Sequence, residues 1–133
     1  MSNPTPTDGE LAILRILWRR SEAMTVHDVH EELLRTKDTA YTTVLKMLTI
    51  MSEKDLVTRD DSERRHRYTA AYTEPVVQRS LLNNFMRTAF DGSAAKLVQH
   101  ALGSESTSLD DLDEIERMIA EAKARRAQAA KQG

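Results

Sequence analysis

Apolar side chains recur every three or four positions through the first fifty residues, and polar breaks cut the pattern into three runs. Leu11, Leu14, Leu17 and Trp18 fall on one helical face, which Ile13 and Ile16 widen. Thr7 and Glu10 in "TDGE" have the spacing of a capping box, in which each side chain satisfies an N–H that the helix start leaves bare. The polar stretch Arg19 to Glu22 closes this first helix. After a short link, Thr25 caps a second helix whose apolar face is Val26, Val29 and Leu33. "TKD" breaks the chain again. Asp38 or Thr39 is expected to cap a third helix that buries Val44, Leu48 and Met51 and ends near "EKD".

The period then changes. "LVTRD" and "RHRYT" are short and β-branched or aromatic, and they flank the charged "DSER" as the arms of a hairpin flank a polar tip. Helical spacing returns from Thr73, with Pro75 in the first turn, where a missing N–H does no harm. Val77, Leu81, Leu82, Phe85, Met86 and Phe90 form a broad apolar face. A shorter helix is predicted from Ser93 to Leu102, carrying Leu97 and closed by Gly103. Ser108 with Asp111 caps a last helix bearing Leu109, Leu112, Ile115 and Ile119. The final "KARRAQAAKQG" loses the apolar stripe and is expected to fray.

These patterns predict a mainly α protein with a small β-wing. A helix-turn-helix domain with its hairpin is expected over residues 8–72, a helical arm over 73–126, and flexible ends at 1–7 and 127–133. The domain can close a core for itself. The arm has apolar faces and no sheet to cover them, so it is expected to self-associate as a homodimer through Leu81, Leu82, Phe85, Met86, Phe90, Leu97, Leu109, Leu112, Ile115 and Ile119.

Composition narrows the function. Cysteine is absent, which removes disulfides, thiolate metal sites and thiol chemistry together. No apolar run approaches a membrane span, and "MSNPTPTDGE" has neither the basic start nor the apolar stretch of a signal peptide. A cytoplasmic location and no membrane partner are therefore expected. The net charge of −2 counts against blanket attraction to polyanions, so a nucleic-acid partner would need positive charge placed locally.

Two stretches place it there. "TAYTTVLKML" has helical spacing, yet it opens on Tyr41, Thr42 and Thr43, which are mediocre helix formers. In a helix-turn-helix the first residues of the second helix point at base edges in the major groove. Hydroxyls bond phosphates or bases there, a threonine methyl packs on a thymine methyl, and Lys46 one turn on can reach a phosphate. The hairpin "ERRHRY" sets Arg64, Arg65, His66 and Arg67 at or beside its tip. Strand alternation puts Tyr68 and His66 on one face and Arg65 and Arg67 on the outward one. The blander alternatives are a threonine-rich helix start with Tyr41 in the core, and a solvated hairpin tip that Asp60, Asp61 and Glu63 partly neutralise.

Catalysis finds no support. His27 and His30 lie three apart on one helix, but a catalytic zinc needs a third protein ligand, and no HExxH pattern supplies it. Both read as solvent-facing. The four glycines are scattered, so no phosphate loop exists, and nothing suggests a nucleophile elbow. No metal or cofactor is expected. The rival class is a small dimeric helical adaptor that binds protein through its acidic last helix. The outward Arg65 and Arg67 argue against it.

"ELAILRILW", "TVHDVHEEL", "AYTTVLKML" and "RHRYTA" resemble, in order and spacing, the penicillinase-repressor family of bacterial transcription factors (BlaI/MecI type), over roughly Asp8 to Ile119. The resemblance implies a winged-helix dimer that represses transcription from a palindromic double-stranded DNA operator. It places recognition positions at Thr39, Tyr41, Thr42, Thr43 and Lys46, and wing positions at Arg64, Arg65, His66 and Arg67. The chain departs from the family in three places. The wing often carries glycine near Glu63 and tyrosine at His66. The cysteine-rich motif of the copper-responsive branch is missing. Where β-lactam-responsive members are cleaved at an Asn–Phe bond, this chain has His100 and Ala101, and Asn84–Phe85 comes too early. Cleavage is not expected at either place, and the agent of release, inducer or protease, is not specified.

Overall fold

The computed structural model describes residues 3–132. Three helices come first, α1 (Asp8–Arg20), α2 (Val26–Leu34) and α3 (Tyr41–Glu53), followed by strands β1 (Val57–Asp60) and β2 (Arg67–Ala70). Helices α4 (Glu74–Ala89), α5 (Ala94–Leu102) and α6 (Leu109–Gln132) complete the chain.

The first two helices start as their sequences demand. The Thr7 N–H donates to Glu10 Oε1 at 2.9 Å and the Glu10 N–H returns to Thr7 Oγ1 at 3.3 Å. Thr25 and Asp28 form the same reciprocal pair on α2, at 3.1 and 3.2 Å. Helix α3 differs. Its N-cap is Ala40, with no side-chain cap bond, rather than Asp38 or Thr39. The Thr39 hydroxyl donates back to the Lys37 carbonyl at 3.3 Å, and no side chain caps the helix.

The apolar stripes of α1, α2 and α3 meet the hairpin in one core. Ile13, Leu14, Val29, Val44, Leu48, Met51 and Tyr68 are all at most 1% exposed. Burying each such side chain contributes roughly 1.5–3 kcal/mol. The sheet is an antiparallel pair in which Val57 faces Ala70 and Asp60 faces Arg67. Met24 extends it by an isolated bridge, exchanging N–H···O bonds with Tyr68 at 3.0 and 2.8 Å. After α3 the chain reverses at Asp55, whose φ of 61° is left-handed, and the Leu56 N–H closes on the Met51 carbonyl at 2.9 Å. Lys54 clasps the opposite end of the domain. Its Nζ lies 2.9 Å from both Glu10 oxygens, and Glu10 is only 5% exposed. This order of three helices and a β-hairpin is a winged helix-turn-helix.

The chain divides into two compact units between Phe85 and Met86, inside α4, and not at the expected Tyr72–Thr73 link. The reason is burial. Val77 is 1% exposed and Ser80 9%, so the first turns of α4 belong to the winged unit. The Trp18 indole N–H also holds the Tyr72 carbonyl, at 2.9 Å, which ties the link to α1. Pro4 and Pro6 are buried as well.

In the second unit, α4 ends in a left-handed turn at Asp91 and Gly92 (φ 52° and 79°). Ser93 caps α5 by accepting the Lys96 N–H at 3.1 Å, and the Phe90 and His100 rings lie 5.5 Å apart. Neither α5 nor α6 has a buried residue. Helix α6 runs to Gln132, beyond its apolar stripe, because Ala, Arg, Lys and Gln carry high intrinsic helix propensity. Among the described residues no helix is long and apolar enough to cross a membrane.

Candidate nucleic-acid interface

Helix α3 presents two faces. Val44, Leu48 and Met51 are sealed in the core, while Tyr41, Thr42, Thr43, Leu45 and Lys46 are exposed. Tyr41 is 45% exposed and shares a helical row with Leu45, which is 42% exposed, while Thr42 shares the next row with Lys46. Because Ala40 supplies no side-chain cap, the first N–H groups of α3 are not claimed by a side chain of the chain itself. Thr39 is half-buried, and its carbonyl is bonded to His30.

The wing lies beside that helix. Four arginines and three carboxylates fall between Arg59 and Arg67, and the ion pairs sort them. Arg59 binds Asp61 at 2.8 Å, His66 approaches the same carboxylate at 3.6 Å, and Arg67 lies 3.7 Å from Glu63. Arg64 and Arg65 have no such partner among the described residues and are exposed. The tip is held by Asp60, which accepts the Ser62 N–H at 2.9 Å, and that bond keeps its carboxyl below the ordinary 3.8.

Two expectations for the wing are corrected. Strand β2 starts only at Arg67, so His66 belongs to the tip and does not share a strand face with Tyr68. Tyr68 is buried and His66 is exposed. Arg67 is half-buried and turned toward carboxylates rather than outward. The Thr25 N–H holds Asp28 below its ordinary 3.8 against the opposing effect of burial, and the Thr25 side chain and the charges of Arg67 and His27 assist. Among the described residues, Arg64 and Arg65 are therefore the wing arginines without a carboxylate partner.

A cavity of about 470 Å³ lies between helices and wing, walled by His27 at the start of α2, Tyr41 and Leu45 on α3, and Arg64, Arg65 and His66. His27 and Leu45 were not expected in this surface. Leu45 was detectable, since it sits off the Val44, Leu48 and Met51 stripe and four residues after Tyr41. His27 was not, because only the fold brings the start of α2 up to the wing.

The two histidines of α2 part company. His27 is exposed and pairs with Glu31 at 3.0 Å. His30, expected to face solvent, is instead half-buried against the start of α3. Its Nε2 lies 2.7 Å from the Thr39 carbonyl, and its ring meets Tyr41 edge to face with centroids 5.7 Å apart. No group of three His, Asp or Glu side chains that could hold a metal occurs among the described residues.

The expected dimerisation residues divide between the units. In the winged unit, Leu82 is 46% and Phe85 52% exposed, and Leu81 is half-buried. In the second unit, Leu109 is 79% and Ile119 46% exposed, while Met86, Phe90, Leu97, Leu112 and Ile115 are half-buried. Met118, at 53%, joins them without having been expected. His100 and Ala101 lie within α5.

Residues 6–121 match the penicillinase repressor family. The chain is 34% identical over 118 residues to the transcriptional regulator BlaI of Mycobacterium tuberculosis, across 88% of this chain and 84% of that one. It is 23% identical over 123 residues to the penicillinase repressor of Bacillus licheniformis, across 92% and 95% of the two chains. In three dimensions it is similar to the solution structure of the monomeric Bacillus licheniformis BlaI in complex with the blaP half-operator. That likeness has a TM-score of 0.48 at 24% identity, over 56% of this chain and 90% of the other.

Proposed function

This chain belongs to the penicillinase-repressor family and is a transcriptional regulator rather than an enzyme, and we propose that it represses by binding a palindromic DNA operator as a homodimer. One observation carries the reading. Across a single cleft, an uncapped helix start exposing Tyr41 and Thr42 faces a wing tip whose Arg64 and Arg65 pair with no carboxylate among the described residues.

The chemistry follows from these positions. The first turn of α3 enters the major groove, where Tyr41, Thr42 and Thr43 offer hydroxyls to base edges and Leu45 offers apolar contact to thymine methyls. Arg64 and Arg65 hold phosphates beside the groove, with Lys46 on the next strand segment, and so fix register without reading sequence. This local charge offsets the −2 of the whole chain. The exposed apolar residues of α4 and α6 pair with those of a second copy. Twofold symmetry then presents two α3 helices to two half-sites, which makes the operator palindromic. Repression follows from occupying the promoter, with no reaction performed.

A fluorescence-anisotropy titration on a duplex from the chain's own upstream region, beside a random duplex and at two salt concentrations, tests this reading. Tight, salt-sensitive binding that prefers the upstream duplex is expected. Equally weak binding to both duplexes contradicts the proposal and turns α3 and the wing into scaffold.

A further inference from the structure

Helix α3 reaches the cleft without a side-chain cap, so something else must fix where its first turn begins. His30 is placed to do so. A carbonyl oxygen only accepts, so the short 2.7 Å contact requires His30 Nε2 to carry a proton and donate it to the Thr39 carbonyl. That carbonyl belongs to the peptide just before Ala40, whose own oxygen accepts from two amides of the helix's first turn, Thr43 at 3.1 Å and Val44 at 3.2 Å. The imidazole ring then meets Tyr41 nearly perpendicular, at 89°, the favoured edge-to-face geometry. One side chain thus touches both the residue before the N-cap and the residue after it.

His30 is itself well anchored. Val29 beside it is 0% exposed and Leu33, on the next turn, is 6% exposed, so α2 is held by the core on either side of this position. We infer that His30 is a positioning residue for recognition: it transmits the position of the core to the first turn of α3 and fixes the Tyr41 ring for contact with bases. The inference rests on the DNA-binding function proposed above. It assigns to a residue of the first helix of the motif a specificity role, exercised without touching DNA.

Three variants of the full chain separate the two contacts. His30→Ala removes both, His30→Gln restores an N–H at the place of Nε2, and His30→Phe restores a ring without the donor. The first readout is amide hydrogen exchange in the free protein. His30→Ala is expected to speed exchange at Thr43 and Val44 about fivefold, the scale of one net hydrogen bond, with α1 amides unchanged. His30→Gln should restore slow exchange and His30→Phe should not. The second readout is the ratio of affinities for the upstream and random duplexes. His30→Ala should cut that ratio about tenfold through the upstream duplex alone, and His30→Gln should recover most of it.

Unchanged exchange at Thr43 and Val44 in His30→Ala overturns the positioning role. Changed exchange with an unchanged affinity ratio overturns its link to recognition. Equal loss on both duplexes, with exchange raised throughout α1 to α3, reduces His30 to a stability residue and overturns the inference. Should the unaltered chain itself fail to discriminate the duplexes, the DNA-binding function falls, and the exchange measurement still decides whether His30 orders α3.

Discussion

The winged unit and the helical unit are built from similar material and end in opposite conditions. From α1 to the first turns of α4 the apolar stripes are buried, with fifteen apolar side chains covered, Tyr68, Leu48 and Ile13 among them, while Leu82 and Phe85 at the end of the unit stay exposed. In α5 and α6 the stripes are equally regular, yet no residue is buried and Leu109 is 79% exposed. Periodicity alone therefore does not make a core; three helices need a hairpin to close on. The first unit is a folded body that offers polar residues outward. The second keeps Leu109, Met118 and Ile119 exposed, the residues that the proposed dimer would cover.

The largest effect expected from breaking this contrast lies in the first unit. Tyr68 is 1% exposed and forms the bridge to Met24, so Tyr68→Ala should cost about 3–5 kcal/mol of unfolding free energy, read by urea denaturation. A loss of under about 1 kcal/mol would mean that the hairpin is an ornament on a three-helix core.

In the second unit the same kind of measurement should show almost nothing, and association should show nearly everything. Ile119→Glu combined with Leu109→Glu should leave the urea midpoint of the winged unit in place. Sedimentation equilibrium should show the dimer weakened about 100-fold, since each change buries charge in an apolar contact. A dimer of unaltered affinity would locate the interface elsewhere.

A smaller effect comes from the clasp between Glu10 and Lys54. Burial pushes the Glu10 carboxyl up, but the Thr7 N–H and Lys54 more than offset it, so its folded value lies below the ordinary 4.5. A depressed carboxylate stabilises the fold above its unfolded value and ceases to do so as pH falls through the folded one. The winged unit should therefore lose stability as pH drops below about 4.5, and Glu10→Gln should flatten that loss. At neutral pH the same change should cost about 1–2 kcal/mol, discounted because Lys54 is 44% exposed. An unaltered acid profile in Glu10→Gln would assign the loss to other carboxylates.

The smallest effect is on the wing. Arg65→Ala should leave folding intact and weaken binding to every duplex. It should also lower the salt slope by about one unit. A loss confined to the upstream duplex would make Arg65 a base reader instead.

Much of this was legible before folding. Thr7 with Glu10, the stripe of α3 and the hairpin around "DSER" are local patterns, and local patterns survive in sequence. Other features were not, because each depends on loop geometry or on a partner that only the fold supplies. Ala40 as the N-cap follows from Thr39 bonding backward to Lys37 and accepting from His30, nine residues earlier. The division inside α4 follows from the burial of Val77 and Ser80, which alternation and spacing cannot assign to one unit or the other. The wing arginines looked alike as a run. Only loop geometry gives Arg59 and Arg67 their carboxylates and leaves Arg64 and Arg65 without one among the described residues. The histidines of α2 likewise share a spacing and not an environment.

The most direct measurement is a hydroxyl-radical footprint of the full chain on its own upstream DNA, read on both strands. Two protected regions of equal size are expected, related by twofold symmetry and centred about one helical turn, or a small multiple of it, apart, since in the proposed dimer each copy of α3 and its wing covers one half-site. A single protected region, or protection that shifts with no preferred register, would contradict a dimer reading a palindrome through α3.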